Sequence, residues 1–227
     1  MNRTTFLLPV LIFFPFFGFG QAPDSIVNQK PRFQIRQLIA PTSLIAGGIL
    51  LNSNAKESIK NEIAEERNDH LPGFHTNVDT YLQFAPIFIM YGFDVAGIKS
   101  KTSIGNRTAI LVKSEIVMNA VVYFLKDRIH QLRPDGSSYN SLPSGHTAQA
   151  FLGAAMLAEE YSYRFKWMPL VAYSMASAVG VMRIMNNKHY ISDVLVGAGI
   201  GILSTKFIYW THQYKWGKER KKLPKYY

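Results

Sequence analysis

Apolar residues in this chain fall into blocks of about the length that crosses a bilayer, parted by short polar or basic stretches. Five such runs stand out: Tyr81 to Ile98, Thr108 to Leu125, His146 to Tyr161, Trp167 to Met185 and Ile191 to Thr211. The hydrophobic fraction of 48% is ordinary for a globular protein, so the clustering carries the argument rather than the total. The pattern predicts an all-α fold, an integral membrane helical bundle. A weaker run, Leu38 to Leu51, is short and interrupted by Pro41, Gly47 and Gly48, which leaves five or six transmembrane helices.

The N-terminus carries Arg3, then an apolar stretch from Phe6 to Gly20, then Gln21. This is the layout of a secretory signal peptide over residues 1–20, cleaved after Gly20; Pro9, Pro15 and the short length weigh against an uncleaved helix. Residues 21–227 then form one membrane domain. Within it, residues 54–79 are strongly polar, and Ile59 and Ile63, one helical turn apart, predict an amphipathic helix on the membrane or over the end of the bundle. His70 and His75 in this region read as solvated loop histidines, since no further metal ligands accompany them. Residues 212–227 form a basic tail.

Three elements carry chemistry: Lys126 with Arg133-Pro134, then Pro143-Ser144-Gly145-His146, then Arg183 with His189 and Asp193. Each sits at the end of an apolar run. The first leaves the second strong run, the next opens the third, and the last joins the fourth to the fifth. If every run crosses once, all three emerge on one side of the membrane and form one site. The turns on the other side hold Lys99, Lys101 and Arg107, then Arg164 and Lys166, then the basic tail, so that side is expected to be cytoplasmic and the site periplasmic. The N-terminus conflicts with this topology. A cleaved signal puts Gln21 outside and requires Leu38 to Leu51 not to cross, yet Lys30, Arg32 and Arg36 favour the inside.

Arginine forks and a lysine point charge suit a multiply charged oxyanion such as phosphate, and Lys126, Arg133 and Arg183 supply both. Ser144 and Gly145 stand where a helix begins, with free backbone amides, a hydroxyl donor and room for close approach. His189 and Asp193 are one helical turn apart, so the carboxylate can fix the ring tautomer and leave the other nitrogen as a nucleophile. His146, beside the bound anion, is placed to protonate the leaving oxygen. Gly197 and Gly201 form a small-xxx-small pair and predict close helix packing, not a nucleotide loop. The net charge of +10 brings no nucleic-acid-binding motif with it, and the absence of cysteine excludes a disulfide framework.

In order and internal spacing, these elements resemble the signature of the type 2 phosphatidic acid phosphatase superfamily, which also includes vanadium haloperoxidases and glucose-6-phosphatase. The resemblance implies that His189 forms a phosphohistidine, that Asp193 orients it, and that His146 is general acid and then general base for water. Lys126, Arg133, Ser144, Gly145 and Arg183 would hold the phosphoryl oxygens, with no metal or cofactor. Met182 departs from the family, where serine often precedes the arginine. The stretches Glu57 to Asp79 and Arg133 to Phe151 are similar to bacterial lipid A 4'-phosphatases with signal sequences. The implied substrate is therefore a lipid phosphate, lipid A at its 4' position first, with undecaprenyl diphosphate and phosphatidylglycerol phosphate as alternatives. Localisation is expected in the bacterial inner membrane. Two other classes compete: a vanadate-dependent haloperoxidase, against which the apolar spans argue, and a non-catalytic anion-binding membrane protein, which leaves both histidines idle.

Overall fold

The polar breaks between apolar runs become helix ends. In the computed structural model, residues 33–53 and 55–214 are described, and these form eight helices with no strand. They are α1 (Arg36–Leu51), α2 (Ile59–His70), α3 (Val78–Leu82), α4 (Ala85–Val95), α5 (Ile104–Ile129), α6 (Gly145–Tyr161), α7 (Met168–Met185) and α8 (Ile191–Thr211). The expected signal peptide and the tail beyond Tyr214 lie outside the described residues.

Helix α6 is the axis of the bundle. Its small residues, including Ala148, Gly153, Ala154 and Ala155, are buried and let α4, α7 and α8 pack around it. The glycines of α8 make the closest of these approaches. A Cβ on Gly197 would stand 2.5 Å from the Ser144 carbonyl oxygen, and one on Gly201 would collide with that of Ala148. The small-xxx-small pair is thus a packing device, as its spacing predicts. The outer surface is apolar instead: Val112, Ile116 and Phe124 of α5, and Leu170 and Val181 of α7, are exposed. With no water-facing reason to expose such residues in rows, this is the surface a bilayer covers. Helices α5, α7 and α8, of 26, 18 and 21 residues, are long and apolar enough to cross a membrane.

Polar contacts label the two ends. At one end Arg183 of α7 meets Asp79 of α3, and Ser144 before α6 meets Asp193 of α8. At the other, Arg107 of α5 pairs with Asp94 of α4, and Glu160 of α6 accepts from Tyr209 of α8. Helix α1 runs antiparallel to α8: its following residue, Asn52, meets Ser192, while Gln37 meets Trp210. Among the described residues, six segments therefore run between the two ends: α1, α3 with α4, and α5 to α8.

One open choice is narrowed and one expectation is corrected. The run from Leu38 to Leu51, which left five or six spans open, forms α1 and lies along α8 from one end to the other, with Arg36 at the end opposite the motifs. The run from Tyr81 to Ile98 is not one helix. It breaks at Gln83-Phe84, before Pro86 at the start of α4, because proline has no amide proton to continue a helix from α3. The polar region forms α2 as expected, but its buried residue is Lys60 while Ile59 is 53% exposed. His70 and His75 are exposed, as predicted.

Candidate active site

The three sequence elements converge at one end. The loop after α5 folds over the loop between α7 and α8: the Asp135 amide donates to the Asn187 carbonyl at 3.2 Å, and Lys188 donates to the Asp135 carboxylate at 2.6 Å. Burial would raise Asp135, but the bonds from Lys188 and Ser137 overcome this and hold its carboxyl down, at about 2. The Asp135 carboxylate is therefore charged at any ordinary pH. It brings Arg133, before the clasp, to the same place as Arg183 and His189.

His189 is 2% exposed and stands just ahead of α8. Its Nδ1 is 3.4 Å from Asp193 Oδ2, close enough for charge stabilisation but without the alignment of a hydrogen bond. The carboxylate is already fixed by other donors. It accepts from the Tyr190 amide at 2.9 Å, from Gln131 Nε2 at 3.2 Å and from the Ser141 hydroxyl at 2.5 Å. Asp193 is thus a rigid base plate beside the Nδ1 edge of the ring. Burial lowers the His189 pKa to about 4; Arg183 and Lys126 act in the same direction, and Asp193 opposes them. At neutral pH the ring is uncharged and keeps its lone pair.

The cations surround that ring. Arg183 ends α7 and is 8% exposed; its Nη1 donates to Asp79 Oδ2 at 2.7 Å while Nε has no protein partner. Arg133 likewise carries a buried Nε with no partner. Orphaned buried donors are costly and rare, so two of them on neighbouring arginines indicate a site shaped for an absent acceptor. Lys126, in the last turn of α5, holds the Asn140 carbonyl and lies within electrostatic range of Arg133, Arg183 and Asp193. His146, half-buried in the first turn of α6, lies within range of Arg183, Asp79, Arg133 and Lys126. Lys126, Arg133, His146, Arg183, His189 and Asp193 are thus brought within electrostatic range of one another.

Ser144 differs from its expected role. It precedes α6, fully buried, with its hydroxyl 2.9 Å from that of Thr147 and its amide donating to the Asp193 carbonyl at 3.0 Å. In this state it joins α6 to α8 rather than facing the cage. Gly145 keeps its open flank: an added Cβ would meet only Val122, at 3.9 Å.

Sequence reasoning missed Asp79 and Lys60. Asp79, 1% exposed, grips Arg183 and also accepts from Asn186 at 3.1 Å. Its helix is fastened to the end of α7 by two bonds between Asn186 and the Thr76 backbone, both 2.8 Å, and Arg67 of α2 donates to the Met185 carbonyl at 2.7 Å. Nothing local in a polar stretch marks one carboxylate as the partner of an arginine 104 residues away.

An all-helical bundle with a two-histidine, three-cation cage at one end defines the class, and sequence comparison agrees with it. The family model of the PAP2 superfamily matches residues 107–217. It is 36% identical over 154 residues to a lipid A 1-phosphatase of Porphyromonas gingivalis, covering 67% of this chain and 35% of that protein. Over 72 residues it is 40% identical to the bacitracin transport permease protein BcrC of Bacillus licheniformis, covering 32% and 34% of the two chains. The matched part thus spans about a third of the length of these curated relatives. Among solved structures, a transmembrane PAP2-type phosphatidylglycerolphosphate phosphatase from Bacillus subtilis shares the fold, with a TM-score of 0.53 at 24% identity over 74% of this chain and 94% of that one.

Proposed function

We propose that this protein is a membrane phosphatase that removes a phosphate from lipid A by way of a phosphohistidine. The observation that carries the reaction class is the neutral, buried His189 seated on Asp193 beside two arginines with unpartnered Nε donors. In the first step His189 Nε2 attacks phosphorus and the bond from phosphorus to the lipid oxygen breaks, while His146 gives that oxygen a proton. Arg133, Arg183, Lys126 and the Gly145 amide take up the charge on the phosphoryl oxygens. Asp193 steadies the imidazolium formed at His189. In the second step His146 removes a proton from water, which attacks the phosphohistidine and releases inorganic phosphate.

The lipid A substrate is supported by the Porphyromonas gingivalis relative, whose name places its activity at position 1. That favours position 1 over the 4' position expected from the sequence. The basic turns at the opposite end, with Lys99 and Arg164, support a cytoplasmic placement of that end and a periplasmic site. The bacterial inner membrane is the location that fits.

The test is phosphate release by purified wild type and His189→Ala in detergent, from lipid A, undecaprenyl diphosphate and phosphatidylglycerol phosphate, with mass spectrometry of the product. Loss of the 1-phosphate by wild type alone is the expected result. Loss of the 4'-phosphate corrects the position, and release that survives the substitution refutes the nucleophile.

A further inference from the structure

Beside the phosphate cage, between the end of α1, the helix α2 and the loop after α5, lies a cavity of about 380 Å³. Its walls are mixed: Asn52, Lys60, Asn61, His130 and Gln131 are polar, and Ile129, Leu132 and the ring of Tyr190 are apolar, as the two faces of a sugar ring require. The volume is at the low end of the roughly 300–1,000 Å³ of small-molecule sites. At about 30 Å³ per water it holds roughly a dozen waters, the bulk of one substituted sugar ring.

Two walls belong to the catalytic end itself. Gln131 donates to Asp193 Oδ1 at 3.2 Å, and Tyr190 follows His189 and donates its amide to Asp193 Oδ2. A group lodged in the cavity therefore lies alongside the phosphate to be cleaved. A third wall breaks the pattern of α2. On a helix lying at a surface, lysine points outward and isoleucine inward; here Ile59 is exposed and Lys60 is 3% exposed. Lys60 Nζ donates to Asn52 Oδ1 at 2.9 Å and stands 5.1 Å from the Tyr190 ring centroid. Turning an ammonium inward is costly, and here the Asn52 acceptor and the face of the Tyr190 ring offset part of that cost while keeping the charge at the cavity wall. Asn61 Nδ2 donates to the Ala55 carbonyl, Gln131 Nε2 to Asp193, and Asn52 Oδ1 accepts from Lys60; the opposite ends of these amides, two oxygens and one NH2, are the groups that match vicinal hydroxyl and acylamino groups.

We propose that this cavity is a headgroup subsite that accepts the sugar bearing the scissile phosphate, so that the protein selects glycolipid phosphates over simple glycerolipid phosphates. The proposal rests on the lipid A reading above. Asn61 and the neighbouring amides hold ring hydroxyls, and Lys60 faces the anionic or acylamino substituent.

The test measures kcat/KM of the full chain in detergent on lipid A and on two sugar-free esters, phosphatidate and p-nitrophenyl phosphate. Asn61→Leu fills the cavity without touching a charge, and Lys60→Gln removes the charge. Both should lower the ratio of lipid A to sugar-free turnover at least tenfold, mainly through KM on lipid A. Because Lys60→Gln can compromise folding, Asn61→Leu decides. An unchanged ratio in Asn61→Leu, with lipid A still cleaved by wild type, overturns the subsite alone. Wild type that cleaves the sugar-free esters and ignores lipid A overturns the substrate reading and the subsite together.

Discussion

Replacing Asp79 by asparagine should cripple turnover without weakening phosphate capture. Asp79 is almost wholly buried and uses both oxygens, Oδ2 on Arg183 Nη1 at 2.7 Å and Oδ1 on Asn186 Nδ2 at 3.1 Å. It holds one edge of the guanidinium and leaves Nε for the ligand. Asparagine has nearly the same volume and keeps one acceptor, so the packing of α3 on α7 survives. The charge does not. Removing one partner of a buried pair outright costs about 3–5 kcal/mol, and the retained acceptor brings asparagine below that range. On the reaction, an oxyanion donor that loses its fixed position costs up to about 10²–10³ in kcat. Arg183 stays in the cage, so a loss of about 10–100-fold in kcat is expected, about 1.4–2.8 kcal/mol.

KM should move the other way. Without Asp79 the cage carries one more uncompensated positive charge, which favours the ground-state phosphate, so KM stays level or falls. A merely unfolded fraction would lower kcat with KM unchanged and would show as lost monodisperse protein in detergent. The assay is steady-state phosphate release by Asp79→Asn, Arg183→Lys and the double variant. If Asp79 acts through Arg183, the double variant loses little more than Arg183→Lys alone. Losses that multiply, or a kcat within twofold of wild type in Asp79→Asn, refute the positioning argument.

Three further outcomes follow from other parts of the structure. Burial puts His189 at about 4, so the ring is protonated and non-nucleophilic only below that pH; in kcat/KM measured from pH 3 to 8 the acid limb, where the His189 nucleophile is lost, should lie near pH 4, while loss of the proton from the acid His146 shapes the opposite limb, and an acid limb near 6.5 that persists in His146→Gln would refute the buried-nucleophile account. Gly201→Val forces a side chain against the Ala148 carbonyl, so α6 and α8 separate at a cost of about 1–3 kcal/mol or more; thermal inactivation in detergent should accelerate, and wild-type stability would refute the packing role. At the end opposite the site, Arg107 is fully buried and paired with Asp94; Arg107→Leu should lower thermal stability by up to about 3–5 kcal/mol while kcat per folded molecule stays within twofold, and a selective loss of kcat would refute a purely structural role.

What the sequence disclosed and what it hid divide along a physical line. Helices α5 to α8 match their apolar runs within a few residues, and Ile191–Thr211 matches at both ends, because a continuous apolar run flanked by charges has one low-energy fate in a bilayer. The break between α3 and α4 was hidden because apolar residues continue through it, from Tyr81 to Leu82 and from Phe84 to Ala85; hydropathy does not register a change of axis. The same line runs through the site. His189 and Asp193, or Ser144, Gly145 and His146, are bound to one another by a single helical turn, so their spacing already implies their geometry. Asp79 and Lys60 act on residues 104 and 130 positions away, in a region where carboxylates and lysines are ordinary surface residues. Only the fold of α2 and α3 across the ends of α7 and α8 gives them partners. The reacting groups are thus local in sequence, while the groups that hold or select are distant. Changes in substrate preference can therefore arise in residues 52–79 with the motif residues untouched, and swapping that segment between PAP2 relatives would move the ratio of lipid A to phosphatidate turnover more than it moves the acid limb set by His189.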